Sequence, residues 1–384
     1  MSVLGVGIVG CGTISSRYFG NAASFQGIEI RACADVMDAA ARRTAEQYDV
    51  RCESVDSLLR ADDIQLVVNL TIPAAHFDVS ATALQAGKHV YSEKPLAATS
   101  TEGRELVESA ARLGLRLGTA PDTFLGAAGQ AARRALDEGR IGRVVGGSCH
   151  CLSHGAESWH PNPDFLYQEG GGPMLDLGPY YVTMLVNLLG PVASVTAHAA
   201  TPFATRKIGS GPRSGEMIAV ETPTTVHCIL SFECGALVTF SASWDVWRHG
   251  HNNIEIYGEA GSMLVPNPNF FGGEVAVSEW DGPFVAAPDD CHPFARGNRK
   301  MRTGTIVADY RISGLADMAA ALVSGRPHRC DGAMGLHVLE VLENILLSAR
   351  DSRVVEVKTR CPRPAALGTA EARALMGGDA VASA

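Results

Sequence analysis

The chain has little charge of either sign and no long apolar run. Charged residues make up 19% and aromatic residues 6% of its 384 residues, and the net charge is −9. A protein with this charge does not present a basic field to phosphate backbones or to anionic lipids. No segment reaches the ~18 continuous apolar residues that a membrane-spanning helix needs. We therefore expect neither a nucleic-acid partner nor a membrane partner.

The ten cysteines include no Cys-x-x-Cys pair, the spacing typical of zinc ribbons and thioredoxin-type redox sites. One local cluster combines sulfur with imidazole: Cys149, His150, Cys151 and His154. On a strand, Cys149 and Cys151 would point to one face and His150 to the other, which favours buried cysteines over zinc ligands. Met1–Gly10 also lacks the basic leader of a signal peptide. We expect a cytoplasmic protein without a metal site.

Length and pattern predict two domains. Residues 1–122 alternate short apolar runs with helical segments, the pattern of a parallel sheet covered by helices. Residues 123–360 continue mostly as β-rich segments separated by turns, which predicts an α/β domain with a largely antiparallel sheet and one open face. Residues 361–384 are rich in Ala, Gly and Pro and are predicted to form a flexible tail.

A glycine-rich turn follows the first predicted strand. The segment Gly10-Cys11-Gly12-Thr13-Ile14-Ser15 opens a helix, where backbone N–H groups and the helix dipole can receive a pyrophosphate. Asp35 ends the second strand, where its carboxylate can hydrogen-bond both ribose hydroxyls; capping the next helix is its alternative role. No arginine is adjacent, so a 2′-phosphate would meet an unpaired negative charge. The first domain is thus predicted to be a Rossmann domain that binds NAD, with NADP less favoured.

The segment Glu93-Lys94-Pro95 ends another predicted strand at the same edge of the sheet. A surface lysine is the ordinary interpretation. The strand end, the neighbouring carboxylate and the proline instead favour an ammonium group in a fixed position, with Lys94-Pro95 as a candidate cis peptide bond.

Several motifs occur together along nearly the whole chain apart from the tail. They are Gly10–Ser15, Thr71-Ile72-Pro73 with His76, Glu93-Lys94-Pro95, Gly170-Gly171-Gly172 with Asp176-Leu177-Gly178-Pro179-Tyr180, and Tyr257-Gly258-Glu259-Ala260-Gly261-Ser262. In this combination the sequence resembles the Gfo/Idh/MocA oxidoreductases, whose members oxidise or reduce sugars, cyclitols and related alcohols.

The resemblance implies a role for each matching residue. Lys94 would touch both the nicotinamide ribose and the substrate hydroxyl, and Asp176 would orient the substrate. With Asp35, the residues expected to bind the cofactor are Gly10, Gly12, Thr13, Ile14, Thr71, Ile72, Pro73, His76, Glu93 and Lys94.

Tyr180 occupies a position where many members of the family have a histidine that carries the proton. In this respect the sequence is similar to the branch that contains glucose-fructose oxidoreductase and dimeric dihydrodiol dehydrogenase, where a tyrosine is the acid/base. A phenol, with a reference pKa near 10, needs a nearby cation to deprotonate, and Lys94 could supply it. The alternative is that Asp176 caps its helix and Tyr180 is an ordinary core residue.

The loop before this motif is rich in polar and aromatic groups. Trp159 could offer an apolar face to a sugar ring, and His154 or His160 could bond its hydroxyls, although exposed loop histidines are an equally good interpretation. His160 is also an alternative proton carrier.

These residues and the resemblance together imply an NAD(H)-dependent oxidoreductase that transfers a hydride between nicotinamide and a secondary alcohol or ketone of a sugar, cyclitol or related polyol. Two alternatives stay open: an NAD-dependent glycoside hydrolase that oxidises its sugar transiently, and a non-catalytic ligand-sensing regulator. Apolar residues on the open sheet face, around Val238, Phe240 and Trp244, predict a homodimer or homotetramer.

Overall fold

The first domain is built on a six-stranded parallel sheet. The computed structural model describes residues 3–288 and 290–377. The strands are β1 (Leu4–Val9), β2 (Ile28–Ala34), β3 (Arg51–Cys52), β4 (Leu66–Asn69), β5 (His89–Ser92) and β6 (Leu117–Thr119), and the helices are α1 (Ser15–Ala22), α2 (Asp38–Tyr48), α3 (Val55–Arg60), α4 (His76–Gln85) and α5 (Ser100–Leu113). Their order is β3-β2-β1-β4-β5-β6, which reverses between β1 and β4. Ligands of such sheets bind beyond the carboxyl ends of the strands at this reversal.

Local sequence signals set the helix ends of this domain. Thr99 and Glu102 form both hydrogen bonds of a capping box at the start of α5. Gly114 ends the same helix in the left-handed conformation, with a φ of 67°. The buried side chains of β1 and β4 divide between two core clusters, so the sheet is covered on both faces.

The second domain is built on a nine-stranded sheet. Its helices are α6 (Ala127–Asp137), α7 (Asp164–Tyr167), α8 (Gly172–Asp176), α9 (Gly178–Leu189), α10 (Ser313–Ser324), α11 (Gly332–Asp351) and α12 (Thr369–Leu375). Its strands are β7 (Val144–Leu152), β8 (Val192–Ala200), β9 (Thr205–Lys207), β10 (Met217–Ala219), β11 (Thr225–Phe232), β12 (Leu237–Ser243), β13 (Ile254–Gly258), β14 (Gly261–Val265), β15 (Ala276–Glu279), β16 (Val285–Ala286), β17 (Arg299–Lys300), β18 (Ile306–Val307) and β19 (Val355–Glu356). The sheet order is β16-β15-β14-β13-β7-β12-β11-β8-β19. β7 and β12 pair in parallel and the other neighbours are antiparallel, which confirms the predicted architecture.

The open face of this sheet differs from the one expected. Val238, Phe240 and Trp244 are buried in the protein, so they cannot form an exposed apolar face. Alternate positions of β12 point outward instead, and two of these, Thr239 and Ser241, are polar. Alternation of side chains with a period of two residues indicates a strand with two different faces. It does not show which of the two faces packs against the core. The expectation that these apolar residues form an exposed face for oligomerisation is therefore wrong. A homodimer or homotetramer stays a prediction.

The C-terminal segment also differs from the prediction. Residues 361–377 are packed: Cys361, Leu367 and Leu375 are buried, and α12 lies against α10. Arg329 donates hydrogen bonds to the carbonyl oxygens of Ala365 and Ala366. The prediction of a flexible tail is wrong for these residues, because side-chain burial outweighs a composition rich in Ala, Gly and Pro. Residues 378–384 lie outside the described part of the chain.

Within the described residues, α11 is the helix that is long and apolar enough to cross a membrane. Its 18-residue apolar window has a mean hydropathy of 1.2, but 67% of that window is buried inside the protein. Val341 and Ile345 belong to the main core cluster. α11 packs as a core helix of this fold, and core helices meet the same length and composition test.

Asp122 connects the two domains near their boundary. Its carboxylate is buried and accepts hydrogen bonds from Ser313 Oγ at 3.1 Å and from the Gly314 N–H at 3.0 Å, at the start of α10. Burial raises its pKa to about 6, against the opposing effects of the Gly314 N–H and of the Arg311 charge. Asp122 is thus a buried acid that gains its charge near neutral pH.

This group makes folding stability depend on pH in a defined direction. An unfolded Asp releases its proton near 3.8, whereas the folded state holds it to about 6. The free energy of unfolding should therefore fall between about pH 4 and pH 6, by at most about 3 kcal/mol from this group. In Asp122→Asn, which keeps an acceptor oxygen without the charge, this contribution should disappear. Urea denaturation across the window tests this, with the exposed Asp62→Asn as the control; identical pH dependence in wild type and Asp122→Asn would contradict it.

Candidate active site

The turn between β1 and α1 is shaped for a close approach of backbone to a ligand. Gly10 has a φ of +104°, and a Cβ atom there would lie 2.6 Å from the carbonyl carbon of Leu70. Glycine is therefore required at this position. Gly12 faces open space, since no atom lies within 4 Å of where its Cβ would be. Thr13 is exposed and Ile14 half-buried beside it, so the helix N-terminus has room for a phosphate group.

Asp35 lies at the end of β2, beside this turn. Its Oδ2 accepts a hydrogen bond from the Cys11 N–H at 2.7 Å, and its Oδ1 accepts one from the Met37 N–H at 2.8 Å. The carboxylate therefore orients the glycine turn and the start of α2 together, and it remains partly accessible.

Large apolar side chains are exposed at the ends of β2 and β4. Val36 is 94% exposed, Met37 65% and Ile72 70%, while the adjacent Pro73 is also exposed. Exposed apolar groups at the carboxyl edge of a parallel sheet suit a flat aromatic base. With the open space at Gly12 and the carboxylate of Asp35, these residues fit a dinucleotide.

His76 takes a different position from the one predicted. Its ring is buried, with Nδ1 lying 2.6 Å from the Pro95 carbonyl oxygen and Nε2 lying 3.0 Å from that of Thr71. Burial lowers the pKa of His76, against the opposing effect of these two carbonyl groups. The ring has no free polar atom for a cofactor. His76 instead ties the Thr71 turn to the Lys94-Pro95 turn.

Glu93 has a comparable positioning role. It is buried, and its carboxylate accepts hydrogen bonds from the Tyr18 hydroxyl at 2.9 Å and from the Lys94 N–H at 2.9 Å. Lys94-Pro95 is a cis peptide bond, as the sequence predicted. The contacts of Glu93 connect α1 with the end of β5 and fix the backbone from which the Lys94 side chain extends.

Lys94 reaches from the first domain to the second. Its Nζ donates hydrogen bonds to the Asp176 carbonyl oxygen at 2.6 Å and to Asp176 Oδ1 at 2.9 Å. The same Nζ lies 5.4 Å from the centre of the Tyr180 ring. Burial by itself lowers the pKa of Lys94, but the charges of Asp176 and Tyr180 and the hydrogen bond with Asp176 outweigh it, and the net pKa is raised. Lys94 is therefore a stable cation between the two side chains.

A break in the helix makes this arrangement possible. The helical segment is interrupted at Leu177, since α8 ends at Asp176 and α9 begins at Gly178. The last carbonyl groups of a helix have no partner within it. The carbonyl oxygen of Asp176 is therefore free to accept a hydrogen bond from Lys94. Tyr180, in the first turn of α9, is half-buried.

Arg311 is a site residue that the sequence analysis missed. It is buried, and its Cζ lies 6.0 Å from the centre of the Tyr180 ring. One guanidinium nitrogen donates to Asp309 at 2.8 Å and the other to Asn269 Oδ1 at 2.7 Å. Burial by itself lowers its pKa, but the charges of Tyr180 and Asp309 outweigh this, and the net pKa is raised. No motif marks Arg311, because it lies far from Tyr180 along the chain.

The structure does not bring the three predicted loop residues, His154, Trp159 and His160, into contact with Lys94, Asp176 or Tyr180. His154 stacks on Trp247, with ring centres 3.3 Å apart. Trp159 is exposed and contacts His160 edge to face at 5.6 Å. In the ranges that the structure describes, none of the three side chains hydrogen-bonds to Lys94, Asp176 or Tyr180. Their role in substrate binding stays a prediction.

The cysteine and histidine cluster divides between the two faces of β7. Cys149 and Cys151 are buried in the core, whereas His150 stacks on His251 on the other face at 4.1 Å. Among the described residues, no group of three or more His, Cys, Asp or Glu side chains is placed to hold a metal ion.

The Rossmann sheet, the glycine turn and the group around Lys94 define an NAD-dependent oxidoreductase. The model of the oxidoreductase family with an NAD-binding Rossmann fold (GFO_IDH_MocA) matches residues 4–120, and the GFO/IDH/MocA C-terminal domain model matches residues 130–264. Together these ranges cover more than half of the chain. The protein belongs to the Gfo/Idh/MocA family, which confirms the resemblance found in its motifs.

Known proteins agree with this assignment. The chain is 26% identical over 271 residues to 1,5-anhydro-D-fructose reductase of Ensifer adhaerens, covering 68% of this chain and 75% of that protein. It is 26% identical over 227 residues to levoglucosan dehydrogenase of Pseudarthrobacter phenanthrenivorans, covering 54% and 57%. An NAD binding oxidoreductase from Klebsiella pneumoniae superposes with a TM-score of 0.79 at 22% identity, covering 93% and 100%. This last likeness shows a shared fold.

The position of Asp35 generates a prediction about the cofactor. Its carboxylate should pair with ribose hydroxyls and repel a 2′-phosphate, so NADH should bind more tightly than NADPH by about 1–3 kcal/mol. Fluorescence titration of both reduced cofactors measures this difference. Asp35→Asn should lose most of the discrimination, whereas Asp38→Asn, which changes an exposed carboxylate on α2, should keep it. Equal affinities in the wild type would remove Asp35 from this role.

Proposed function

We propose that the protein transfers a hydride reversibly between NAD and a carbon that bears a secondary hydroxyl group in a sugar, cyclitol or related polyol. The observation that carries this proposal is the position of the Lys94 ammonium, which is hydrogen-bonded to Asp176 and lies 5.4 Å from the Tyr180 ring. The relatives named above include a sugar reductase and a sugar dehydrogenase, which supports this substrate class.

Each side chain has a task that follows from its chemistry. When bound, the nicotinamide cofactor would supply the redox chemistry, as a hydride acceptor in its oxidised form and a hydride donor in its reduced form. Lys94 donates a hydrogen bond to the substrate oxygen and stabilises the negative charge that develops there. The Tyr180 oxygen takes the hydroxyl proton in the oxidation and returns it in the reduction. Asp176 holds Lys94 in place and can accept a hydrogen bond from a neighbouring hydroxyl.

The positive charges around Tyr180 make the tyrosine suitable for proton transfer. Lys94 Nζ lies 5.4 Å and Arg311 Cζ 6.0 Å from the centre of its ring. Lys94 forms an ion pair with Asp176, and Arg311 forms one with Asp309. Two fixed cations beside the ring can stabilise negative charge that develops at the site during the reaction. We infer that Tyr180 is the acid/base.

A substrate panel tests the reaction class. NADH formation should be seen with at least one member of a set of aldoses, inositols and sugar lactols supplied with NAD. A glycoside hydrolase would instead release an aglycone from glycosides without net NADH. A ligand-sensing regulator would bind a sugar without turnover. Either of these last two results would replace the proposed function.

Removing the phenol oxygen tests the acid/base assignment. Tyr180→Phe should leave NADH binding nearly intact and lower kcat by roughly 10²–10⁴-fold, the usual effect of removing a general acid or base. Lys94→Ala should lower kcat at least as much, and the double variant should lose less than the product of the two effects, because the residues act as a unit.

The adjacent tyrosine provides the control for this experiment. Tyr181→Phe removes a buried hydroxyl that accepts a hydrogen bond from Asn253 at 3.0 Å, away from Lys94. Its kcat should stay close to that of the wild type. Near-normal kcat in Tyr180→Phe at the pH optimum would reject the tyrosine assignment, and His160 would become the proton carrier to test.

A further inference from the structure

A polar cleft of about 280 Å³ lies between α1 and the β17–β18 hairpin. Its lining residues are Ser16, Arg17, Gly20, Asn21, Asn298, Arg299, Lys300 and Asp309. Three of them carry a positive charge and Asp309 alone carries a negative one. We call this feature the cationic cleft, since its charge is opposite to the net charge of −9 of the whole chain.

Arg17 is a cation of this cleft without a partner. Within residues 3–288 and 290–377, its guanidinium forms neither a hydrogen bond nor an ion pair with another side chain, although it is half-buried. Burial lowers the pKa of Arg17, and the neighbouring Arg299 charge adds to this effect, while Asp309 opposes it. The surroundings of Arg17 thus hold an excess of positive charge that an anion would relieve.

Arg299 has an unused donor in the same place. One of its terminal nitrogens is bonded to Asp309 at 2.7 Å, but its Nε is buried and has no hydrogen-bond partner. A buried N–H without a partner is costly, and such groups are uncommon in folded proteins. Lys300 contributes a further exposed ammonium group to the cleft. The cleft therefore combines the unpaired charge of Arg17 with a second cation, the exposed Lys300.

The cationic cleft lies close to Tyr180. Asp309 lines the cleft and forms an ion pair with Arg311 at 2.8 Å, and Arg311 in turn lies 6.0 Å from the Tyr180 ring. Asn21, also in the lining, donates a hydrogen bond to the Arg311 carbonyl oxygen at 3.1 Å. A single arginine thus separates the proposed proton carrier from the cleft.

We propose that the cationic cleft binds an anionic group of the substrate, a carboxylate or a phosphate, while the hydroxyl-bearing carbon lies at Lys94 and Tyr180. This inference rests on the proposed function and narrows its substrate class to acidic sugars. Arg17 matches the geometry of either group, because a guanidinium without a protein partner can hold two oxygen atoms at once. Lys300 adds charge without fixed geometry.

The proposal is tested by measuring kcat/KM for matched sets of sugars, with the whole chain saturated with NAD. Each set contains a neutral aldose, its uronate and its terminal phosphate, built on glucose, galactose and mannose. One anionic member should exceed its neutral parent in kcat/KM by about tenfold or more, mainly through a lower KM. The two anionic members of each set distinguish a carboxylate from a phosphate as the preferred group.

Arg17→Met should remove most of this preference, so that the ratio of kcat/KM for the anionic over the neutral sugar falls by about tenfold. Arg60→Met is the matched control, because Arg60 is an exposed arginine on α3 outside the cleft. It should keep the ratio. Equal kcat/KM for neutral and anionic sugars in the wild type would overturn the proposal. So would a rise in the KM for NAD alone in Arg17→Met, which would assign Arg17 to the cofactor phosphates.

A binding measurement keeps this test separate from the proposed function. NADH-loaded protein is titrated with inorganic phosphate and with glucuronate in a calorimeter, which needs no turnover. Binding by the wild type that weakens about tenfold in Arg17→Met supports the anion site even if no sugar is oxidised. Absence of binding, or equal binding by the two proteins, overturns the inference whether or not the enzyme oxidises a neutral sugar.

Discussion

The ion pair between Lys94 and Asp176 is the contact on which the candidate site depends. Lys94 belongs to the dinucleotide-binding domain and Asp176 to the second domain, and Nζ bonds to both the carbonyl oxygen and the carboxylate. Neither domain alone contains the proposed site. The contact that holds the Lys94 ammonium group is therefore also a contact between the two domains.

Interactions around this pair fix its two ends. On the first domain, Glu93 holds the Lys94 backbone, and His76 bridges Thr71 to the carbonyl oxygen of Pro95. On the second domain, the helix break after Asp176 leaves its carbonyl oxygen available to Lys94. In a continuous helix this oxygen would accept a hydrogen bond from a backbone N–H group. The buried groups behind the site thus restrict the motion of Lys94 without contacting the reacting atoms.

The parts of the site that the sequence predicted are those encoded locally. The glycine turn, Asp35 and Lys94 each follow a strand, and parallel strands bring their carboxyl ends to one edge without further information. Arg311 was missed because tertiary packing alone brings it to Tyr180. The burial of Val238 and Phe240 was misread for a related reason: alternation is a local property, whereas the choice of inner face depends on the helices that pack on the sheet. The packing of residues 361–377 likewise depends on partners such as Arg329 and Phe25, which are distant in sequence.

The proposed acid/base role of Tyr180 is physically consistent with the second buried cation beside it, Arg311. A histidine in this position would become a cation when it accepts the substrate proton, and Arg311 would then oppose that step by charge repulsion. The proposed tyrosine base becomes neutral when it accepts the proton, so this step adds no positive charge beside Arg311. Arg311 is in turn kept in place by Asp309 and Asn269. The proposed role of Tyr180 therefore depends on a neighbouring charge, that of Arg311, which the short motif around Tyr180 does not contain.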